Sequence, residues 1–270
     1  MNTAALPRVI SITTDFGRGD FGVSEMIGVM YSIAGERIRI VELTIEVPPH
    51  NILDGAVIMA RHTPFFPPGS IHVAVVDPGV GTHRRPIAAL LGDQFFVGPD
   101  NGLFTLMYQH ATRNGQIVKV IHTSNPRYWN HEVSNIFHGR DIFAPVAAHL
   151  ARDIPLYELG EPVLDPVLLD LPEPQQIEGG WQGMITRIDH FGNLESNINV
   201  EVLQDNEAVE VQVGRAVIRG LVKTFGESNP GELVAMIDSS GVIGVSVVNG
   251  SAAQKLDVRQ GDMFTVKVSG

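Results

Sequence analysis

Cysteine is absent from the 270-residue chain, which excludes disulfides, thiolate metal sites and a cysteine nucleophile. No apolar run approaches the roughly 20 residues needed to cross a bilayer. The stretch Met1 to Leu6 has neither a basic start nor a following apolar segment with a small-residue cleavage site. No membrane partner and a cytoplasmic location are therefore the expectations. Basic residues are also scarce, since 19 Lys and Arg against 30 Asp and Glu leave a formal net charge of -11. A nucleic-acid backbone is bound through clustered cations, so that partner is disfavoured and a cationic small molecule suits the chain better. The signatures H-E-x-x-H, G-x-S-x-G and G-x-x-x-x-G-K-[ST] are all missing. Their absence removes the motif support for a zinc protease, a serine hydrolase and a triphosphate-binding loop. The ten histidines are scattered, and neither a metal nor a cofactor is expected.

What is present reads as two domains, the natural division for a chain of this length. Arg8 to Thr14, Arg37 to Leu43 and Ser70 to Val76 read as strands, and Pro86 to Val97 as a hairpin. Between and after them, Gly22 to Ala34, Asn51 to Thr63 and Ile142 to Arg152 have helical length and spacing. Strands alternating with helices predict an α/β domain whose mostly parallel sheet is covered on both faces. Pro155 to Gly180 holds many prolines and acidic residues without periodicity, which places a boundary there. Beyond it, short β-type runs at 184–188, 208–213, 216–218, 233–237, 242–248 and 263–268 predict a smaller β-barrel or sandwich. The expected division is an α/β domain at 1–165, a linker at 166–180 and a barrel domain at 181–270.

Several clusters carry chemistry. The run from Thr13 to Gly22 contains a formal G-x-G-x-x-G between strand and helix. Asp15 and Asp20, however, put two carboxylates where a dinucleotide pyrophosphate would sit, which opposes NAD. They favour instead a ligand with ribose hydroxyls and a positive charge. Read plainly, both are turn or capping residues. At the end of the third strand, Asp77-Pro78-Gly79-Val80-Gly81-Thr82-His83-Arg84-Arg85 can turn sharply and let Asp77 and Arg84 approach each other, or, in the plainer view, form a turn with exposed charges. Phe137-His138-Gly139-Arg140-Asp141 brings an imidazole to the same sheet edge, with Asp141 as the helix cap in the plainer view. In the second domain, Asp189-His190-Phe191-Gly192-Asn193 offers a carboxylate, an aromatic face and an amide. The segments at 238–241 and 248–251 add small polar residues.

Taken in order, Thr14-Asp15-Phe16-Gly17, Val76 to Arg85, Gly98-Pro99-Asp100-Asn101-Gly102, Phe137 to Asp141 and Asp189 to Asn193 resemble one family over nearly the whole chain. It is the S-adenosyl-L-methionine (SAM) hydroxide adenosyltransferases, which are similar to the bacterial fluorinase and chlorinase. The resemblance implies an enzyme that cleaves SAM with water to give adenosine and methionine, with SAM as substrate rather than cofactor. It implies Asp77, Arg84 and His138 as the catalytic set and Asp15 as the ribose ligand, with Asp20 near the methionine amine. It further implies substrate contacts at Asp189, Phe191, Asn193, Ser239 and Val247, and a homotrimer with sites at subunit interfaces. Halogenases of the family carry tyrosine in place of Asp77, so the resemblance points to the hydrolases. One departure is Gly244, where many relatives have Glu. The alternatives are a SAM-dependent halogenase, a SAM or adenosine sensor without turnover, and a divalent-metal hydrolase using the Asp and His clusters.

Overall fold

A computed structural model describes residues 7–203 and 208–269, and the chain divides into two compact units, Met1–Leu169 and Asp170–Gly270. The first unit runs β1 (Arg8–Thr14), α1 (Gly22–Ala34), β2 (Ile38–Thr44), α2 (Ile52–His62), β3 (Ile71–Val75), β4 (Pro86–Leu91), β5 (Gln94–Pro99), α3 (Thr105–Arg113), β6 (Val118–His122), α4 (Ala144–Ala151) and β7 (Glu161–Pro162). Its sheet has the order β2-β1-β3-β5-β4-β6-β7. Crossover helices make β1 parallel to β2 and β3, and β3 is parallel to β5. The remaining pairings are antiparallel, so the sheet is mixed. The reversal has a local cause: Leu91 pairs with Gln94, and a two-residue hairpin leaves no room for a crossover.

Side-chain alternation builds the core on both faces. On one face α1 buries Val23, Met26, Met30 and Ala34 along one stripe, against Ile10 and Ile12 of β1 and against α4. On the other, Met59 of α2 and Met107 of α3 pack with Phe96, Leu103 and Phe104. The sequence pattern does not announce α3, because only Thr105, Met107, Tyr108 and Ala111 are buried and the apolar stripe is too thin. Before α4 the chain makes a π-helical turn, Gly139–Phe143.

The second unit comprises β8 (Gln175–Ile177), β9 (Gly180–Ile188), β10 (Leu194–Asn199), β11 (Ala208–Val213), β12 (Ala216–Arg219), β13 (Leu233–Ile237), β14 (Val242–Val247), α5 (Ala252–Leu256) and β15 (Met263–Ser269). The order is β12-β11-β15-β9-β10-β14-β13, with β8 added to β9, and every pairing is antiparallel. The sheet nearly closes into a barrel, for Val222 N, just beyond β12, donates to Ala235 O of β13 at 2.9 Å. Strand β10 escapes sequence inspection because it reads Leu-Glu-Ser-Asn-Ile-Asn. Its Leu194, Ser196 and Ile198 nevertheless face the core. Ser196 fits there by donating its hydroxyl to Ile243 O at 2.5 Å.

The proline-rich stretch is less free than its composition suggests. Val167 N donates to Asp100 Oδ1 and Leu169 N to Thr105 Oγ1, both at 2.8 Å, while Gln175–Ile177 pairs with β9. Gly244 also has a reason: a Cβ there would lie 2.7 Å from Leu194 O, so β10 and β14 approach too closely for any side chain. Gly244→Ala is expected to lower the unfolding free energy by about 1–3 kcal/mol, as overpacking does, measured by denaturant titration.

Candidate active site

Ligands of α/β sheets gather beyond the carboxyl ends of the strands. Here the segments following β1 and β3, with the one preceding α4, enclose a cavity of about 260 Å³. Asp15, His50, Asp77 and His138 supply its polar side chains, and Phe16, Val80, Ile136 and Phe137 contribute apolar walls. Two larger cavities in this unit, about 520 and 570 Å³, include none of these residues.

The chain turns back immediately after Asp77, with Val80 N bonded to Asp77 O and Thr82 N to Gly79 O, each at 3.2 Å. Gly81 is required in this turn. Its φ is +76°, and a Cβ would lie 2.4 Å from Asn135 O of the neighbouring loop. The reversal lays Arg84 against Asp77. Arg84 Nε donates to the two carboxylate oxygens at 3.0 and 2.9 Å, and Nη2 donates to Oδ2. The same Nη2 lies 2.8 Å from His138 Nδ1. The Arg84 and Asp77 side chains are 8% and 5% exposed, so this is a buried, charge-assisted pair. Arg84 Nη1 is buried without an acceptor among the described residues, and the guanidinium lies 5.2 Å from the Phe143 ring centroid. Asp77, Arg84 and His138 are thus joined by direct hydrogen bonds, with Asp77 and His138 on the cavity wall and Arg84 bridging them. Burial, and next the Arg84 charge, push the His138 pKa below its ordinary value of 6.5 despite Asp77 and Asp141, leaving the ring neutral at pH 7.

His138 is held by its own segment. Asp141, 1% exposed, accepts from Arg140 Nε at 2.7 Å, Arg140 Nη2 at 3.0 Å, Ser134 N at 2.9 Å and Asn130 Nδ2 at 3.1 Å. Asp141 therefore ties down the 130–137 loop rather than acting as a plain helix cap. Arg140 also reaches Glu25 on α1 at 2.8 Å and stacks 4.9 Å from the Phe137 ring centroid. The Gly98-Pro99-Asp100-Asn101-Gly102 run braces the other loop. Asn101 Nδ2 donates to Val76 O at 2.8 Å, and Asp100 accepts from Arg85 Nε at 2.8 Å.

Residues 10–160 match the SAM hydroxide adenosyltransferase N-terminal domain, and residues 183–265 match the C-terminal domain of the same name. The chain belongs to the SAM hydroxide adenosyltransferase family. Within it, the chain is 40% identical over 262 residues, covering 95% of itself and 97% of the relative, to the (R)-S-adenosyl-L-methionine hydrolase of Salinispora tropica. A fluorinase of an Actinoplanes species is 26% identical over 294 residues, covering 96% and 97%. The crystal structure of an uncharacterized conserved protein from Thermotoga maritima superposes with a TM-score of 0.87 at 32% identity, covering 96% of this chain and 99% of that one.

The other positions singled out by the family resemblance are placed as follows. Asp15 lines the cavity, and its Oδ2 accepts from His50 N at 2.8 Å. Asp20 is exposed, does not line the cavity, and accepts from Gly22 N at 2.6 Å at the start of α1. In the second unit Asp189 Oδ1 accepts from Phe191 N and Asn193 N at 2.9 Å, and Oδ2 from Asn193 Nδ2 at 2.8 Å. That clamp leaves the Phe191 ring 73% exposed. Ser239 is exposed in the turn between β13 and β14, whereas Val247 is buried in the barrel core. His50, Phe16, Val80 and Ile136 join the cavity without having been singled out from sequence. Apolar side chains and a lone histidine carry no local signal, although His50 has a φ of +64°.

Burial works against the charged form of Asp141, but its hydrogen bonds from Arg140, Ser134 and Asn130 outweigh that and lower its pKa. Its contribution to stability is therefore complete above the ordinary value of 3.8 and lost as pH falls through the lower folded value. Asp141→Ala is expected to cost about 1.5–3 kcal/mol, the scale of hydrogen bonds to a charged group. Thermal unfolding of parent and variant across the acid range tests this, and their difference should shrink toward low pH.

Proposed function

We propose that this chain hydrolyses S-adenosyl-L-methionine at C5′, giving adenosine and L-methionine, with no metal or cofactor. The observation that carries the proposal is the hydrogen-bonded Asp77–Arg84–His138 set beside a cavity that also contains Asp15. By the name of its Salinispora relative, the (R) form of the sulfonium is the proposed substrate. SAM carries its own leaving group, because the sulfonium departs as a neutral thioether. The protein must therefore supply an aimed oxygen and a dry site rather than activate the departing atom. Asp77 and His138 orient the water, while the Arg84 charge favours anionic character on its oxygen. Asp15 accepts hydrogen bonds from the ribose hydroxyls.

The cavity of about 260 Å³ falls below the roughly 300–1,000 Å³ usual for small-molecule sites, which supports a site completed by a second surface. The proposed assembly is a homotrimer in the cytoplasm, in which Asp189, Phe191, Asn193, Ser239, Val247 and Asp20 contribute to holding the base and the methionine group. The 73% exposed Phe191 ring suits stacking on adenine.

Incubation of pure protein with each SAM diastereomer and chloride, without added metal, should yield adenosine and methionine and no 5′-halogenated nucleoside. Oxygen-labelled water should put its label on the adenosine 5′ oxygen. Arg84→Ala is expected to lower turnover about a hundredfold or more. Because it strands a buried carboxylate at a cost of about 3–5 kcal/mol, its unfolding must be followed in parallel. Retention of the parent rate by a folded variant overturns the role of Arg84. Asp15→Ala should chiefly weaken adenosine binding, measured by calorimetry, and an unchanged affinity counts against its placement.

A further inference from the structure

We infer that Arg84 locks His138 as the neutral Nε2–H tautomer, so that His138 gives a hydrogen bond to the attacking oxygen and Asp77 takes that oxygen's proton. This inference rests on the hydrolase function proposed above and assigns the direction of proton flow within it.

The decisive contact is the 2.8 Å separation between Arg84 Nη2 and His138 Nδ1. A guanidinium has five donors and no acceptor, so Nδ1 must be the acceptor and cannot carry a hydrogen. A doubly protonated ring would instead point an N–H at an N–H and set two cations side by side. The neutral ring then carries its one proton on Nε2. The groups facing the ring are Arg84 and Asp77 on one segment and Asp141 on its own, with Asp15 and His50 also lining the cavity. Burial and the Arg84 charge both disfavour protonation. A ring in this state donates to an oxygen and accepts nothing at Nε2, which removes His138 as the base.

Asp77 retains the capacity that His138 lacks. A carboxylate offers about four acceptor positions. Oδ2 receives Arg84 Nε and Nη2, whereas Oδ1 receives only Nε at 3.0 Å, which leaves a position on Oδ1. Both Asp77 and His138 line the cavity and Arg84 does not. Arg84 accordingly positions the other two, and its charge acts on the oxygen from behind them rather than by contact. In the step, the water oxygen bonds to C5′ and the C5′–S bond breaks with its electron pair going to sulfur, converting sulfonium to thioether. The oxygen's proton passes to Asp77 and from there to solvent as products leave. An oxygen that has bonded to carbon while holding two hydrogens is a far stronger acid than a carboxylic acid. A carboxylate paired with a guanidinium is therefore basic enough to receive the proton.

Long-range proton–nitrogen correlation spectra of the full chain, labelled with ¹⁵N-histidine, test the assignment, with the His138 signals identified by their loss in His138→Gln. Parent protein at neutral pH should show His138 with Nε2 protonated and Nδ1 bare. An Nδ1–H tautomer or an imidazolium overturns the inference. In turnover, His138→Gln keeps an acceptor and a donor and should fall roughly tenfold, as for a weakened hydrogen bond. His138→Ala should fall about a hundredfold or more. Equal losses in the two variants would mean that His138 is the base. If the parent makes adenosine while the tautomer is wrong, only this inference fails; if it makes none, the hydrolase proposal fails whatever the tautomer.

Discussion

A guanidinium withdrawn almost wholly from water needs acceptors for its hydrogens, and Arg84 finds those for Nε and Nη2 in two groups that face the cavity. Asp77 neutralises it and His138 receives the second N–H of Nη2, while Nη1 is left without an acceptor among the described residues. The coupling works in both directions, because a carboxylate buried to the same degree is tolerable only beside such a cation. Each member of the set therefore fixes the position of the others. The arrangement is organised before any ligand arrives, which is the condition under which electrostatic groups are most effective.

The fold meets that requirement with segments far apart in sequence. The parallel half of the sheet brings the ends of β1 and β3 together, so Asp15 and Asp77 share a rim. The antiparallel half supplies the brace: β5 ends in the Gly98 to Gly102 run, whose Asn101 holds the carbonyl of Val76 directly before Asp77. On the helical side, Asp141 gathers the loop that carries His138, and Arg140 ties that loop to α1. Neither Asn101 nor Asp141 lines the cavity, yet both determine where Asp77 and His138 stand.

The sequence reading and the structure agree where the signal is periodic and local. Strand β1 and helix α1 were legible to the residue, since alternation and an apolar stripe express the same burial that the fold realises. Helix α3 and strand β10 were not, because their burial depends on neighbours that the local pattern cannot reveal. The same division holds at the site. Asp77 and Arg84 stand in one sharp turn and could be paired on paper, whereas the residues alone brought His138, 54 positions from Arg84, only to the same sheet edge, and its joining to that pair came through the family resemblance. That Arg84 sits behind the cavity wall, and that Asp141 serves a loop rather than a helix end, required three-dimensional packing to see.

Arg84 and Arg85 are adjacent and point to different worlds: the first to Asp77 and His138, the second to Asp100 and Asp165. Two neighbouring cations with opposite assignments make the spacing between Asp77 and Arg84 a quantity that cannot drift. A single deletion between them would put Arg85 in the place where Arg84 meets the inner carboxylate, and a single insertion would put His83 there. Loop length here is thus as much a part of the chemistry as residue identity, and this loop, unlike most surface connections, has little freedom to vary in size.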